Sequence, residues 1–307
     1  MSAAIPEKRL FCFGLGYSAR ALAGRLEPGK WSVAGTAMTQ EGIATLERHG
    51  FQAHLFDGDA PLAAGALDGA THILISIPPG HAGDPNAGCD PVASHHDRDM
   101  AALESLEWLG YLSSTGVYGD TGGRQVDESS ALKPTCGRSR RRAAVEAAWL
   151  DMAGTAGLPV HVFRLAGIYG PGRSVFERLR NGTARRIEKP GHLFGRIHVD
   201  DIAGVLKSSM ARPLPGAIYN VTDDLAAEAS TVTTFACGLL GVAVPPLTPF
   251  ADAAREMSAM ALSFWRDNRL VANAKIKKEL GVALRYPDYK AGLRAVLAAE
   301  NGYTEKR

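Results

Sequence analysis

Short runs rich in β-branched and aromatic residues alternate with longer helical stretches through the first half of the chain. That alternation is the mark of a parallel sheet covered by helices on both faces. The runs predict strands at residues 10–13, 32–36, 52–56, 72–77, 110–113 and 160–165, and six parallel strands fit a doubly wound order. Helices are expected between them, including 18–26 and 138–153, the second stopped by Gly154 and Gly157. From Gly170 onward the pattern changes to Pro-Gly turns, a strand candidate at 217–221 and several short helices ending at 289–299. The expected fold class is α/β, a Rossmann-type doubly wound parallel sheet with a smaller C-terminal substrate lobe. Residues 1–170 and 196–222 are assigned to the nucleotide-binding domain, and 171–195 with 223–307 to the lobe. No internal repeat or low-complexity segment interrupts this plan.

The junction of the first strand and first helix carries Gly14-Leu15-Gly16-Tyr17-Ser18-Ala19, a GxGxxA turn. Gly14 allows the tight turn, Gly16 lets a pyrophosphate approach the backbone, and the small Ala19 lets helix and strand pack closely. Amides at the helix start, at Tyr17 and Ser18, then face the phosphates. An ordinary glycine turn would read the same in isolation, but the order strand, turn, helix favours a dinucleotide. At the end of the second strand, Gly35-Thr36-Ala37-Met38 offers neither an acid for an adenosine ribose nor an arginine for a 2′-phosphate, so NAD and NADP stay open. Asp57 after the third strand either meets the adenine amino group or sits in a solvated Asp57-Gly58-Asp59 turn.

Composition narrows the partner to a small molecule. The chain has 307 residues, 46% of them hydrophobic, which is enough for a large core and excludes a disordered or fibrous protein. A formal charge of +2 from nearly balanced acids and bases gives no field directed at nucleic acid or a membrane surface. Cys12, Cys89, Cys136 and Cys237 lie far apart without a CxxC pair, which argues against a zinc knuckle or disulfide framework and fits a reducing cytoplasm. No stretch reads as a signal peptide or a membrane span. The segment 78–99 holds His81, Asp84, Cys89, His95, His96 and Asp97, but their spacing fits no standard metal site, and its Pro and Gly content predicts a surface loop. No metal is expected.

Three further segments give the pattern a family. Ser113-Ser114-Thr115-Gly116-Val117-Tyr118-Gly119-Asp120 resembles the fifth-strand motif of extended short-chain dehydrogenases/reductases, which include sugar-nucleotide epimerases and dehydratases. Phe163-Arg164-Leu165-Ala166-Gly167-Ile168-Tyr169-Gly170-Pro171-Gly172 is similar to the segment after their sixth strand, and Arg196-Ile197-His198-Val199-Asp200-Asp201 to their next motif. Among relatives, the chain resembles bacterial NAD-dependent epimerase/dehydratase-like proteins. The resemblance implies that Ser114 hydrogen-bonds a substrate oxygen. It also implies that Ile77 and Pro78, after the fourth strand, join the cofactor site. Arg173 and Arg178 open the second lobe, where they either meet an anionic substrate such as a sugar diphosphate or serve as surface arginines.

The chain departs from the family at the catalytic pair. Where the family has Tyr-x-x-x-Lys, this sequence has Cys136-Gly137-Arg138-Ser139-Arg140. Arg140 can contact ribose hydroxyls, but its planar fork differs from a compact ammonium. Cys136 is shorter than a tyrosine, and its thiol acts as a base or nucleophile only if its pKa, normally about 8.5, falls near Arg140; otherwise it fills space. Arg138, Arg141 and Arg142 are expected on the solvent face of the helix, and Asp200 or Asp201 as the cap of the next one. The resemblance therefore implies an NAD(P)-dependent oxidoreductase or epimerase acting through Ser114, Cys136 and Arg140. The alternative is a catalytically silent protein that binds NAD(P) and senses its redox state. A nucleotide sugar is the substrate class implied, and a homodimer remains open.

Overall fold

The computed structural model describes residues 7–80 and 90–304. Seven parallel strands make the central sheet: β1 (Lys8–Phe13), β2 (Trp31–Ala37), β3 (Gln52–Leu55), β4 (His72–Ile75), β5 (Trp108–Ser114), β7 (Val160–Leu165) and β11 (Ile218–Val221). Their order is β11-β7-β5-β4-β1-β2-β3, so the winding reverses between β1 and β4. A ligand crevice opens beyond the carboxyl ends of the strands at such a switch point. The sequence led to six strands; the seventh, at 218–221, belongs to the main sheet beside β7, with Tyr219 opposite Phe163.

Period-two alternation along β1 separates the two cores. Leu10 and Cys12 join Leu74, Trp108, Phe163 and Tyr219 under α1 (Tyr17–Ala23), α6 (Val199–Ala211) and α10 (Ala274–Leu280). Phe11 and Phe13 join Ile73, Ile75, Tyr111 and Val162 beneath α3 (Pro91–Ala101) and α4 (Gly137–Thr155), with Trp149 of α4 fully buried. α2 (Gln40–Arg48) covers the β2–β3 edge. A third cluster forms apart from the sheet, where Tyr169, Val175, Phe176, Val232, Tyr289 and Leu293 unite α5 (Val175–Arg180), α7 (Ala229–Leu240) and α11 (Tyr289–Thr304). Three short parallel pairs stitch this region together: β6 (Gln125–Val126) with β13 (Leu270–Val271), β8 (Gly167–Tyr169) with β10 (Arg196–His198), and β9 (Arg186–Glu188) with β12 (Leu247–Pro249). Helices α8 (Phe250–Ala253) and α9 (Ala259–Arg266) lie between β12 and β13. No helix among the described residues is long and apolar enough to cross a membrane.

A buried ion pair ties these layers. Arg164 on β7 donates to Glu146 on α4 through Nε at 3.0 Å and Nη2 at 2.8 Å, and the two side chains are 3% and 1% exposed. Ser113 on β5 donates to the other carboxylate oxygen. Arg164 Nη1 reaches Tyr118 Oη at 2.8 Å, and Tyr118 donates to Asn220 of β11 at 2.7 Å. One helix, three strands and the turn after β5 thereby share one network in which both charged groups are hydrogen-bonded, the condition for keeping buried charge, while Asn220 Nδ2 has no partner among the described residues.

Several expectations change here. Of the predicted loop 78–99, His81, Asp84 and Cys89 lie outside the described residues, while His95, His96 and Asp97 sit in α3. Asp90 caps that helix through Val92 and Ala93 N–H, with proline at the first position, and His96 turns inward to accept from Leu62 N–H at 3.1 Å. Helix α6 is capped by His198, whose Nδ1 accepts from Asp200 N–H, and not by an aspartate. Asp201 instead accepts from Arg285 and Tyr286 N–H. Arg142 leaves the solvent face to donate to Leu112 O at 2.6 Å.

Two outcomes test this framework. Glu146→Leu strips Arg164 of its partner and is expected to cost about 3–5 kcal/mol in urea unfolding, while Glu146→Leu combined with Arg164→Met recovers most of the loss. Asp223, after β11, has its carboxyl pushed up to about 7 by burial, against the lowering effects of Leu225 N–H and Arg196. The folded state then keeps this proton where the unfolded chain releases it, so stability falls as pH rises from about 4 to 7 and levels above. The difference between wild type and Asp223→Asn across that window should be on the order of 2–4 kcal/mol, read from urea midpoints at each pH.

Candidate active site

The turn between β1 and α1 is built by its own backbone. Gly14 has φ +84°, and a side chain there would strike Ile77 Cγ2 at 2.7 Å and Ser76 Oγ at 2.8 Å. Gly14 N–H donates to Thr36 Oγ1 at 2.8 Å, Leu15 N–H to Thr36 O at 3.0 Å, and Gly16 N–H to Gly14 O at 2.7 Å. Thr36 therefore shapes the turn from β2. The amides of Tyr17, Ser18 and Ala19 start the helix and have no backbone partner among the described residues. Gly16 leaves its face bare, since a Cβ there would find only Gly14 O, at 4.0 Å. Ala19 is fully buried against the sheet. Ile77 is half-buried beside the turn and Pro78 is exposed. Asp57 is exposed and accepts from Asp59 N–H at 3.0 Å, a local turn.

The second group lies after β5. Ser114 closes that strand, and its Oγ accepts from Gly116 N–H at 3.1 Å at the start of a 3₁₀ turn over Thr115–Tyr118. Cys136 stands at the N-cap of α4, half-buried, and donates from Sγ to Ser139 Oγ at 3.3 Å. Partial burial raises its thiol pKa, but hydrogen bonds from the Ser139 hydroxyl and N–H and the charge of Arg138 outweigh this, and the net direction is downward. Arg140 is exposed, and its Nη1 donates to Thr135 O at 3.3 Å. Four residues not singled out from the sequence for chemistry join this group. Ser139 is buried beside Cys136. Arg269 donates from Nη1 to Gly119 O at 2.8 Å and to Asp267 Oδ2 at 3.2 Å, and Thr135 donates to Asp267 Oδ1 at 2.7 Å. Asp267 is 132 residues downstream of Thr135 and Arg269 is 150 downstream of Gly119, and no local motif marks them.

A cavity of about 670 Å³ lies between β8, β10 and the third core. Arg173, Arg178, Arg185 and Arg196 line it, against Glu177 as the one acid in the lining. That acid is engaged in a capping box with Ser174, and Arg185 pairs with Glu256. Phe264 and Trp265 of α9 and Tyr289 of α11 supply aromatic walls. Ser114 and Cys136 are not in this lining. Tyr17 connects the cavity to the first turn, because its hydroxyl donates to Pro171 O at 2.9 Å and Arg173 stands 5.7 Å over its ring. His198, from the Arg196–Asp201 motif, is buried against Tyr169 and Tyr286, and burial pushes its pKa down to about 4. Among the described residues no group of three or more His, Cys, Asp or Glu side chains gathers to hold a metal.

No protein-family model matches the chain. Protein YeeZ of Escherichia coli (strain K12) is 26% identical over 287 residues, covering 92% of this chain and 97% of its own. The structure of UDP-glucuronic acid 4-epimerase from Bacillus cereus, in complex with UDP-glucuronic acid and NAD, superposes with a TM-score of 0.77 at 12% identity, covering 96% of this chain and 99% of that one. The structure of a functionally unknown conserved protein from Silicibacter pomeroyi DSS superposes with a TM-score of 0.86 at 44% identity, covering 95% and 99%. The chain has the extended short-chain dehydrogenase/reductase fold, and it belongs to the same family as the Silicibacter pomeroyi protein.

Proposed function

We propose that the chain binds NAD or NADP at the switch point and acts as an oxidoreductase or epimerase on a nucleotide sugar or a similar anionic small molecule. The observation that carries this reading is the Gly14–Ala19 turn, where three amides without a partner among the described residues and the bare face of Gly16 lie at the crevice between β1 and β4. These features fit a pyrophosphate. Tyr17, Ser18 and Ala19 would hold the phosphates, with Ile77 and Pro78 beside the ring end and Asp57 toward the adenine. Met38, 68% exposed, brings no charge to the ribose end, so both cofactors fit the reading. When bound, the nicotinamide supplies a hydride acceptor or donor.

In this reading the cationic cavity takes the anionic part of the substrate. Arg173 and Arg178 face the ligand's phosphates. Ser114 holds the reacting oxygen, since its Oγ accepts from Gly116 N–H and keeps its own proton to donate. Cys136, with its lowered thiol pKa, exchanges the proton that the family assigns to tyrosine. Arg140 stands where the family places lysine, and its exposed side chain bonded to Thr135 O favours a second reading, in which the chain holds NAD(P) and reports its redox state without turnover.

Calorimetric titration with NAD⁺, NADH, NADP⁺ and NADPH tests the binding. At least one form should bind, and Gly16→Val should weaken it about tenfold or more by covering the bare face, with an unchanged thermal midpoint. Failure of all four to bind overturns the proposal. Nicotinamide absorbance change with UDP-sugars, lost in Ser114→Ala, supports the enzyme; a strong preference for one redox form without turnover supports the sensor.

A further inference from the structure

The C-terminal region sends one cation into the turn after β5. Arg269 is held by its Nη1 alone, through Gly119 O and Asp267, while its Nη2 has no hydrogen-bond partner among the described residues. Asp267 is 7% exposed and fixed in turn by the Thr135 hydroxyl, so the guanidinium is oriented from behind. Its free edge faces Gly116. A Cβ built on Gly116 would stand 3.0 Å from Ser139 Oγ, 3.3 Å from Ser114 Oγ and 4.0 Å from Arg269 Nη2. The bare face of this half-buried glycine is thus ringed by three polar atoms from three parts of the chain.

All three are donors with a hydrogen to spare. Ser114 Oγ accepts from Gly116 N–H, which leaves its O–H unassigned. While Cys136 is a thiol it donates to Ser139 Oγ and leaves the Ser139 hydrogen unassigned; once it ionises, Ser139 donates to the sulfur, and Ser114 and Arg269 remain as the donors of the ring. Arg269 Nη2 has only hydrogens to offer. Within this ring no carboxylate or carbonyl answers them, because Asp267 is occupied by Thr135 and by Arg269 Nη1. Convergent donors with one fixed cation and no local acceptor are complementary to a negatively charged oxygen.

We propose that Ser114, Ser139 and Arg269 form an oxyanion-binding notch over Gly116, which receives a carboxylate or the charged reacting oxygen of the substrate. Asp267 and Thr135 are positioning residues for Arg269. The notch extends the substrate reading above, but its existence can be tested without any dinucleotide or nucleotide sugar.

Cys136 provides the reporter, since its sulfur touches Ser139. The rates of its alkylation by iodoacetate and by iodoacetamide are measured by peptide-resolved mass spectrometry, and their ratio is compared with that for glutathione. A notch that seats the carboxylate raises the ratio at Cys136 by about tenfold. Arg269→Gln should return it to the glutathione value, and Arg269→Lys should keep part of it because the charge stays and the fork goes. Gly116→Ala is the decisive variant. It fills the notch while leaving every charge in place, so it too should abolish the preference, with retained fold checked by circular dichroism.

A wild-type ratio equal to glutathione's overturns the proposal. A ratio that survives Gly116→Ala overturns it too, because the field of Arg138 and Arg141 would then explain the effect. So does absence of reaction with both reagents, since nothing of substrate size would reach the space. Protection by UDP-glucuronate but not by UDP-glucose assigns the notch to a sugar carboxylate, and equal protection by both assigns it to the reacting oxygen. If neither protects, the nucleotide-sugar reading fails while the alkylation ratio still decides the notch.

Discussion

The contact between Glu146 and Arg164 holds the candidate centre in register. A carboxylate and a guanidinium this deeply buried are tolerated only with their hydrogen bonds filled, and here the filling groups come from β5, the turn after it and, through Tyr118, β11. Glu146 lies ten residues along α4 from Cys136, about 15 Å of helix. With that point pinned to the sheet, the N-terminus of α4 cannot slide relative to Ser114, the next residue after the Ser113 that Glu146 grips. The network has no need to touch a ligand. Its effect is to convert a helix that could pack in several registers into one that presents Cys136 and Ser139 at a fixed height.

The Gly14 turn shows the same economy of backbone. Its first three amides are spent on Thr36 and on the turn itself, and only the next three are left for a ligand. This division makes the loop rigid and its anion-facing edge small. Tyr17 then carries the rigidity outward, joining the turn to Pro171 and Arg173 at the mouth of the cationic cavity. The two regions suited to anions are thereby held at a set spacing by one phenol ring.

Local pattern made much of this legible. The strands of the first half declare themselves through β-branched and aromatic runs, and the GxGxxA turn is contiguous, so both can be read without knowing the fold. What escaped depends on distance or on competing local signals. Residues 217–221 read as a strand candidate, but that they extend the main sheet shows only when β7 offers them an edge. Histidines 95 and 96 follow a stretch so rich in Pro and Gly that the helix start at Asp90 is masked. His198 caps α6 although two aspartates follow it, because its Nδ1 alone is placed to accept from Asp200 N–H. Arg269 and Asp267 carry no motif at all, and the pairing of β13 with β6, together with the contacts of Asn268 to Asp120, Thr121 and Gly123, brings them to the turn after β5.

That two-residue pairing sets an order of assembly. All seven strands of the main sheet are in the chain once Val221 has been made, and the Glu146–Arg164 network is complete with Asn220. Arg269 and its anchor Asp267 come nearly fifty residues later, and contacts at such long sequence separation form late because the intervening loop must close first. During synthesis, a nascent chain can therefore own a finished sheet and the Gly14 turn while the ring around Gly116 still lacks its cation. The protein's capacity to hold charge at that point is acquired last, as the ribosome delivers the final sixth of the sequence.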